Sequence, residues 1–137
     1  MKIGVITDGI SRDFEHALKV MDEFGLEYAE LQFVWDKEIG FLETAEVSRA
    51  KKLLKQYGKQ VSNICHHIFA GMRMTSKPGD ELHTHHMDRL KRCMEIAHEL
   101  GSPRVRILSP KKEQILFGAY GAEKWNVAKG AWDALPP

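Results

Sequence analysis

Residues 60–71 read QVSNICHHIFAG and give the clearest indication of how the chain folds. The run begins with apolar and β-branched residues, which favour a buried strand. It continues into two adjacent histidines, His66 and His67, and ends in a short turn-like segment. We therefore expect a strand whose carboxyl end carries two imidazole side chains.

The sequence on either side of this strand alternates between strand and helix patterns. The other three strands are predicted from short apolar runs at residues 2–8, 28–35 and 105–109. The helical stretches between them carry one apolar stripe each. They end at glycines, which favour the left-handed end of a helix: Gly25, Gly58 and Gly101. A fourth helix is predicted over residues 122–135. This alternation predicts an α/β fold with parallel strands, in which ligands bind beyond the carboxyl ends of the strands.

The composition argues against several classes of function. The chain has 137 residues, which suits the single domain that we predict over residues 1–137. Its formal net charge of +1 provides no general attraction for nucleic acid or for an anionic membrane. No apolar run approaches the roughly 20 residues of a membrane span, and the amino-terminal run is too short for a secretory signal. We therefore expect a cytoplasmic protein in which Cys65 and Cys93 are free, buried thiols.

Four stretches of the chain carry a resemblance to a known family. They read IGVITDGISRDFEHAL from residue 3, FGLEYAELQFVW from residue 24, YGKQVSNICHHIF from residue 57 and LGSPRVRILSP from residue 100. Together they resemble the N-terminal half of the sugar phosphate isomerase/epimerase family, whose members are xylose isomerase-like TIM barrels. The resemblance implies a partial (β/α)₈ TIM barrel with about four βα units and parallel strands. No GxGxxG or GxxxxGK[ST] motif follows a predicted strand, so nothing indicates a dinucleotide or P-loop site.

The resemblance also implies a reaction and a metal ion. Full-length relatives abstract a proton next to a carbonyl of a sugar or sugar phosphate, and a divalent metal (Mn, Mg, Zn or Co) stabilises the enediolate. The metal ligands of these relatives come from later strands, and no residue of this chain matches them. We therefore assign neither catalytic residues nor metal ligands here. The chain is expected to supply one wall of the substrate site and to be inactive alone.

A complete barrel needs about 250 residues. This chain is therefore expected either to be a truncated product of a longer gene or to be completed by a second copy. Unpaired strand edges favour self-association, so we expect a homo-oligomer formed through the exposed barrel edges. A non-catalytic half-barrel module that binds a sugar or a partner protein is the alternative. The low net charge argues against DNA repair of the endonuclease IV type, which some relatives perform.

Polar and aromatic residues at or near the predicted strand ends are the candidates for substrate binding: Glu30, Gln32, Trp35, His66, His67, Arg106 and Ser109. Neutral imidazole suits contact with a sugar hydroxyl or proton transfer, although a histidine at a strand end also bonds to neighbouring backbone. Glu30 and Arg106 are expected to form a buried ion pair, which is either structural or part of the substrate site. Trp35 either stacks on a sugar or packs against a helix.

Two further patterns have an ordinary interpretation beside a functional one. His83, His85 and His86 suggest a metal site, but their spacing matches no standard zinc motif. We interpret them as a solvated loop and helix start. Residues 118–121, GAYG, precede the predicted fourth helix and suit either phosphate binding through backbone amides or a simple turn.

Overall fold

The computed structural model describes residues 3–73 and 76–109, together with the backbone of residues 123–126 and 131–134. The described helices are α1 (Phe14–Glu23), α2 (Thr44–Gln56) and α3 (Glu81–Leu100). The described strands are β1 (Gly4–Ile6), β2 (Tyr28–Leu31), β3 (Phe33–Val34), β4 (Lys37–Glu38), β5 (Gln60–Cys65), β6 (Val105–Arg106), β7 (Glu123–Asn126) and β8 (Ala131–Ala134). Short 3₁₀ turns follow β1 and β4 at Thr7–Gly9 and Ile39–Phe41.

A four-stranded parallel sheet is the centre of the described region, with the strand order β1-β2-β5-β6. Helices α1, α2 and α3 lie between successive strands of this sheet along the chain. The predicted α/β fold with parallel strands and a partial barrel arrangement is therefore confirmed. Within the described residues the sheet is open, because β1 and β6 have no strand partner on their outer edges.

Polar side chains and glycine determine where the helices begin and end. Asp13 caps α1 by accepting a hydrogen bond from the His16 backbone N–H at 3.1 Å. Helix α2 begins with a capping box in which Glu43 and Glu46 each accept a backbone N–H of the other. Helix α3 ends at Gly101, whose φ of 71° lies in the left-handed region that the sequence pattern predicted.

The core lies between the sheet and the three helices. Its largest fully buried side chains come from both layers and include Phe14, Leu18, Met21, Leu31, Val47, Ile64 and Ile96. Both cysteines are buried in this core and are free thiols, as predicted. No helix among the described residues combines the length and the apolar character that a membrane span requires.

The predicted strand over residues 28–35 is too long. Strand β2 ends at Leu31, and the chain then forms the antiparallel hairpin β3–β4. Trp35 and Asp36 form its two-residue turn, with φ angles of 51° and 63°. Turns of this kind match the twist of a hairpin but usually contain Asn-Gly or Asp-Gly. The Trp-Asp pair therefore gave no signal of a turn in the sequence.

The predicted helix over residues 122–135 is wrong. Strands β7 and β8 form an antiparallel hairpin there, and the register places Trp125 opposite Trp132. Tryptophan favours strands over helices. The apolar spacing of residues 122–135 also suits a helix, but the pairing of the two strands overrides it. The GAYG segment at residues 118–121 lies outside the described residues.

Candidate functional site

The β3–β4 hairpin brings a carboxylate to the end of the sheet at which β2 and β5 finish. Asp8, which follows β1, accepts a hydrogen bond from the Phe33 backbone N–H at 3.2 Å and so ties the hairpin to the sheet. Glu38 in strand β4 pairs with Phe33 and reaches His67, the second residue after β5. We call this carboxyl-terminal edge, with Gln32, Glu38, His66 and His67, the rim.

His67 is held by hydrogen bonds on both ring nitrogens. Glu38 Oε1 lies 2.6 Å from His67 Nδ1 and 2.7 Å from the His67 backbone nitrogen. The Gln32 side-chain nitrogen lies 3.2 Å from His67 Nε2. The His67 side chain is 45% exposed, so a ligand at the rim can reach it. The structure thus brings together Gln32 and His67, two residues that the sequence analysis nominated separately.

His66 points away from solvent, and its side chain is only 5% exposed. Its Nδ1 accepts a hydrogen bond from the Gly40 backbone N–H at 3.4 Å, and its ring packs against Phe41. Burial lowers the pKa of His66, and this effect outweighs the opposing influence of the Glu38 carboxylate, 3.5 Å from Nδ1. His66 is therefore the neutral, packed residue of the rim, as expected for one of two adjacent residues that face opposite ways.

Glu30 and Arg106 approach each other across the sheet, as the sequence pattern predicted. Arg106 Nη1 lies 3.8 Å from Glu30 Oε1, which is too long for a hydrogen bond. Glu30 is 22% exposed and Arg106 is 46% exposed, so the expectation of a buried pair is wrong. Within the described part of the chain, β6 lies at the edge of the sheet and has a strand neighbour on one side only, which leaves Arg106 exposed. The pair borders Cys65, whose pKa is raised by burial and partly lowered again by the Arg106 guanidinium.

One comparison with known proteins agrees with this fold. The family model described as xylose isomerase-like TIM barrel matches residues 18–135 of the chain. The chain belongs to the xylose isomerase-like TIM barrel family. A search of the curated proteins finds none that matches it.

In a xylose isomerase-like barrel, the rim corresponds to the end of the strands at which ligands of (β/α)₈ proteins bind. Glu38 is the rim residue that the sequence analysis missed. It follows the predicted second strand by three residues, and a single acidic residue in a polar loop is no signal. Only the hairpin register, which places residue 38 opposite residue 33, reveals its position.

Two of the residues predicted to bind substrate, Trp35 and Ser109, lie apart from the hydrogen-bonded residues of the rim. The Trp35 ring packs edge-on against Phe14 at 5.8 Å between centroids, and the Arg49 guanidinium lies 4.4 Å above it. These contacts with α1 and α2 match the packing alternative for Trp35 rather than sugar stacking. Ser109 is exposed beyond the end of β6. Substrate binding by either residue stays a prediction.

The histidines at residues 83–86 lie in helix α3, and the expectation that they are solvated is wrong for His86. Its Nδ1 accepts a hydrogen bond from the Phe69 backbone N–H at 3.1 Å, and its side chain is largely buried. Burial is the main cause that lowers the pKa of His86, followed by the nearby His85 and His83. Phe69 has a φ of 65°, so this hydrogen bond fixes an unusual backbone conformation in the loop after β5.

A cavity of about 830 Å³ opens at the opposite end of the same sheet, near the amino ends of the strands. Its polar lining includes Glu30, Lys59, Gln60, Ser62 and Arg104. In a closed barrel this face of the sheet is filled by side chains from the other strands. We therefore attribute the cavity to the open sheet. The rim is at the other end of the strands, where (β/α)₈ proteins bind their ligands.

Proposed function

We propose that this chain supplies one wall of the substrate site of a metal-dependent sugar or sugar phosphate isomerase or epimerase. The observation that carries the proposal is the meeting of Gln32, Glu38 and His67 at the carboxyl end of a family-typical sheet. An amide, a carboxylate and a half-exposed imidazole offer the donors and acceptors that sugar hydroxyls require.

The divalent metal of the proposed enzyme (Mn, Mg, Zn or Co) does not fit the described residues of this chain. Among residues 3–73 and 76–109, no three His, Cys, Asp or Glu side chains group as a metal-binding set. The Glu38 oxygen nearest to solvent-exposed His67 already accepts two hydrogen bonds. We therefore propose that the ligands come from outside this part of the chain and that the chain alone is inactive.

We also propose that a second copy of the chain covers the open side of the sheet. Strand β6 and helix α3 form an apolar groove of about 480 Å³ at this side, lined by Leu90, Met94, Val105 and Ile107. Met94 is 58% exposed and Ile107 is 46% exposed. Four parallel strands are half of an eight-stranded barrel, so a twofold axis along the barrel would set β6 of one copy beside β1 of the other.

The buried free thiols are in keeping with a reducing compartment, and we propose that the protein acts in the cytoplasm. Its proposed ligands are neutral or phosphorylated sugars rather than nucleic acid, because the formal net charge is only +1.

The test of the proposed function combines ligand binding with turnover. D-fructose is titrated into ¹⁵N-labelled protein, and we expect its largest chemical-shift changes at Gln32, Glu38 and His67. The same protein with Mn²⁺ or Mg²⁺ should form no product from D-fructose. The matched control is Gln60, a polar residue at the amino end of β5, whose resonance should not move.

Each outcome of this test has a definite meaning. Turnover by the chain alone would overturn the claim that it is inactive. An absence of shifts at the rim with D-fructose and with D-fructose 6-phosphate would overturn the sugar site. A third outcome is that D-fructose binds but a complete assembly loaded with metal shows no turnover. That outcome would favour the non-catalytic sugar-binding alternative.

A further inference from the structure

The contact between Glu38 and His67 assigns a role to a carboxylate that no sequence pattern singled out. We infer that Glu38 is a positioning residue that holds His67 in a single tautomer, so that His67 Nε2 accepts the proton of a ligand hydroxyl at the rim. The inference rests on the proposed function, because it names how the sugar site would handle one hydroxyl group.

The tautomer of His67 follows from the contacts of its two ring nitrogens. An ionised carboxylate only accepts hydrogen bonds. Glu38 Oε1 lies 2.6 Å from His67 Nδ1, so Nδ1 carries the hydrogen and donates it to the carboxylate. In the neutral imidazole, Nε2 then holds a lone pair. The Gln32 amide nitrogen, 3.2 Å away, donates a hydrogen bond to that lone pair.

The hydrogen bonds of Glu38 hold His67 rigidly. Glu38 Oε1 also accepts the His67 backbone N–H at 2.7 Å, so the same oxygen fixes both the backbone and the ring of His67. The Glu38 side chain is only 14% exposed, which protects these hydrogen bonds from competition by water. Phe33 lies beside the ring, with 6.3 Å between the two ring centroids. The lone pair therefore has a fixed direction before a ligand arrives.

Exposure to solvent distinguishes His67 from its neighbour His66. His67 is 45% exposed, whereas His66 is 5% exposed and uses its Nδ1 to accept the Gly40 backbone N–H. Gln32 is the one contact at His67 Nε2 among the described hydrogen bonds, and this contact is exposed to solvent. A ligand hydroxyl that replaces it donates to Nε2 in the same place.

The chemistry that follows is a proton transfer with a simple balance. The hydroxyl O–H bond breaks, its electron pair stays on the ligand oxygen, and a new N–H bond forms at His67 Nε2. The imidazolium that results carries a positive charge, and the Glu38 carboxylate beside Nδ1 stabilises it. The Asp of a Ser-His-Asp triad serves its histidine in the same two ways, by orientation and by charge.

The experiment measures the tautomer and the ligand hydrogen bond separately. Two-bond ¹⁵N–¹H correlation spectra of histidine-labelled protein report which ring nitrogen of His67 is protonated. The variants are Glu38→Ala, which removes the acceptor of Nδ1–H, and Glu38→Gln, which keeps an acceptor oxygen. The exposed carboxylate Glu23 at the end of α1 provides the matched control Glu23→Ala.

We expect the wild type, Glu38→Gln and Glu23→Ala to show the Nδ1–H tautomer at His67, and Glu38→Ala to show a mixture. D-fructose should shift the Nε2 resonance of the wild type. Its titration midpoint should rise about tenfold in Glu38→Ala, in line with the loss of one oriented hydrogen bond. Dispersed amide spectra establish that each variant is folded.

The outcomes separate the inference from the proposed function. An Nε2–H tautomer in the wild type, or an unchanged tautomer in folded Glu38→Ala, would overturn the inference whether or not sugar binds. Rim shifts with D-fructose that leave Nε2 unmoved would overturn the acceptor role and leave the sugar site standing. An absence of all rim shifts would overturn the proposed function and the acceptor role together, while the tautomer would still test Glu38 as a positioning residue.

Discussion

Single residues show how two adjacent histidines acquire different properties. His66 and His67 share a carboxylate neighbour, yet one ring is packed in the core and the other borders solvent. The difference follows from the alternation of side chains at a strand end, which sends neighbouring residues to opposite faces. It also depends on Gly40, since the backbone of this residue approaches the His66 ring so closely that an added Cβ would lie 3.0 Å from it.

Replacement of Gly40 by alanine should destabilise the protein. An added Cβ would lie 3.0 Å from His66 Nδ1 and 3.0 Å from Cys93 Sγ, and both neighbours are packed in the core. We expect a loss of about 1–3 kcal/mol in the free energy of unfolding, measured by urea denaturation. Gly9→Ala is the control, because no atom lies within 4 Å of its added Cβ. Equal effects at the two positions would contradict the close approach.

Both cysteines should resist thiol reagents in the folded protein. Burial raises the pKa of Cys65, and it raises the pKa of Cys93 to about 12, so burial disfavours the thiolate at both positions. We expect their reaction with a disulfide reagent to be on the order of a hundredfold slower than in concentrated guanidinium chloride. Ser109→Cys adds an exposed thiol as a control, which should react quickly in the native state. Fast modification of unaltered native protein would contradict the burial.

Secondary-structure elements are tied to one another by a few polar contacts at their ends. Glu46 in the first turn of α2 accepts from the Glu43 backbone N–H at 2.8 Å and from Lys37 Nζ at 2.7 Å. Because Lys37 belongs to β4, this carboxylate joins the hairpin to the start of the helix. The hydrogen bond from Lys37 is the main cause that lowers the pKa of Glu46 below its ordinary value of 4.5.

Removal of the Glu46 charge should reduce stability in a pH-dependent way. A depressed folded-state pKa contributes stability in full above about pH 4.5 and loses it as the pH falls through the folded-state pKa. We therefore expect Glu46→Gln to lower the free energy of unfolding by less than about 1 kcal/mol at neutral pH, and by less still in acid. Glu23→Gln at the exposed end of α1 is the control for removal of a surface carboxylate. A difference that grows in acid would contradict the assignment.

The elements that the sequence predicted well are those with strong local signals. Helix α1 begins after Asp13 and α3 ends at Gly101 because a short polar side chain and a residue without Cβ favour those positions. The β3–β4 hairpin was missed because Trp35 and Asp36 adopt positive φ angles for which neither residue type is a usual sign. Burial of Trp35 against Phe14 stabilises that turn, and this contact is not readable from local sequence.

At the scale of the whole molecule, the order of strands and helices could be predicted from the sequence. The set of residues that meet at the rim could not. Alternating strand and helix patterns indicated the parallel sheet, and the family resemblance indicated the barrel type. The rim depends on Glu38, which meets His67 across 29 positions of sequence. The exposure of Arg106 was also missed, because sequence does not reveal which strand of the described sheet lies at its edge.

The self-association that we propose would involve the whole molecule, since the sheet is open at both edges within the described residues. We expect sedimentation to give twice the 15.6 kDa mass of one chain. Ile107→Glu places a charge in the apolar groove beside α3 and should give the mass of a monomer. Leu82→Glu, at an exposed site outside that groove, should leave the mass unchanged. A wild-type monomer, or equal effects of both variants, would overturn the paired arrangement.

The β3–β4 hairpin has a consequence for how the rim can change without change in the sheet. Glu38 reaches the rim on a segment that is not a strand of the main sheet. Substitutions or changes of length in the hairpin can therefore exchange this carboxylate for another group while β2 and β5 stay in place, provided that the buried Val34 is kept. The preference of the proposed ligand site can therefore be altered at the hairpin, independently of the scaffold that carries it.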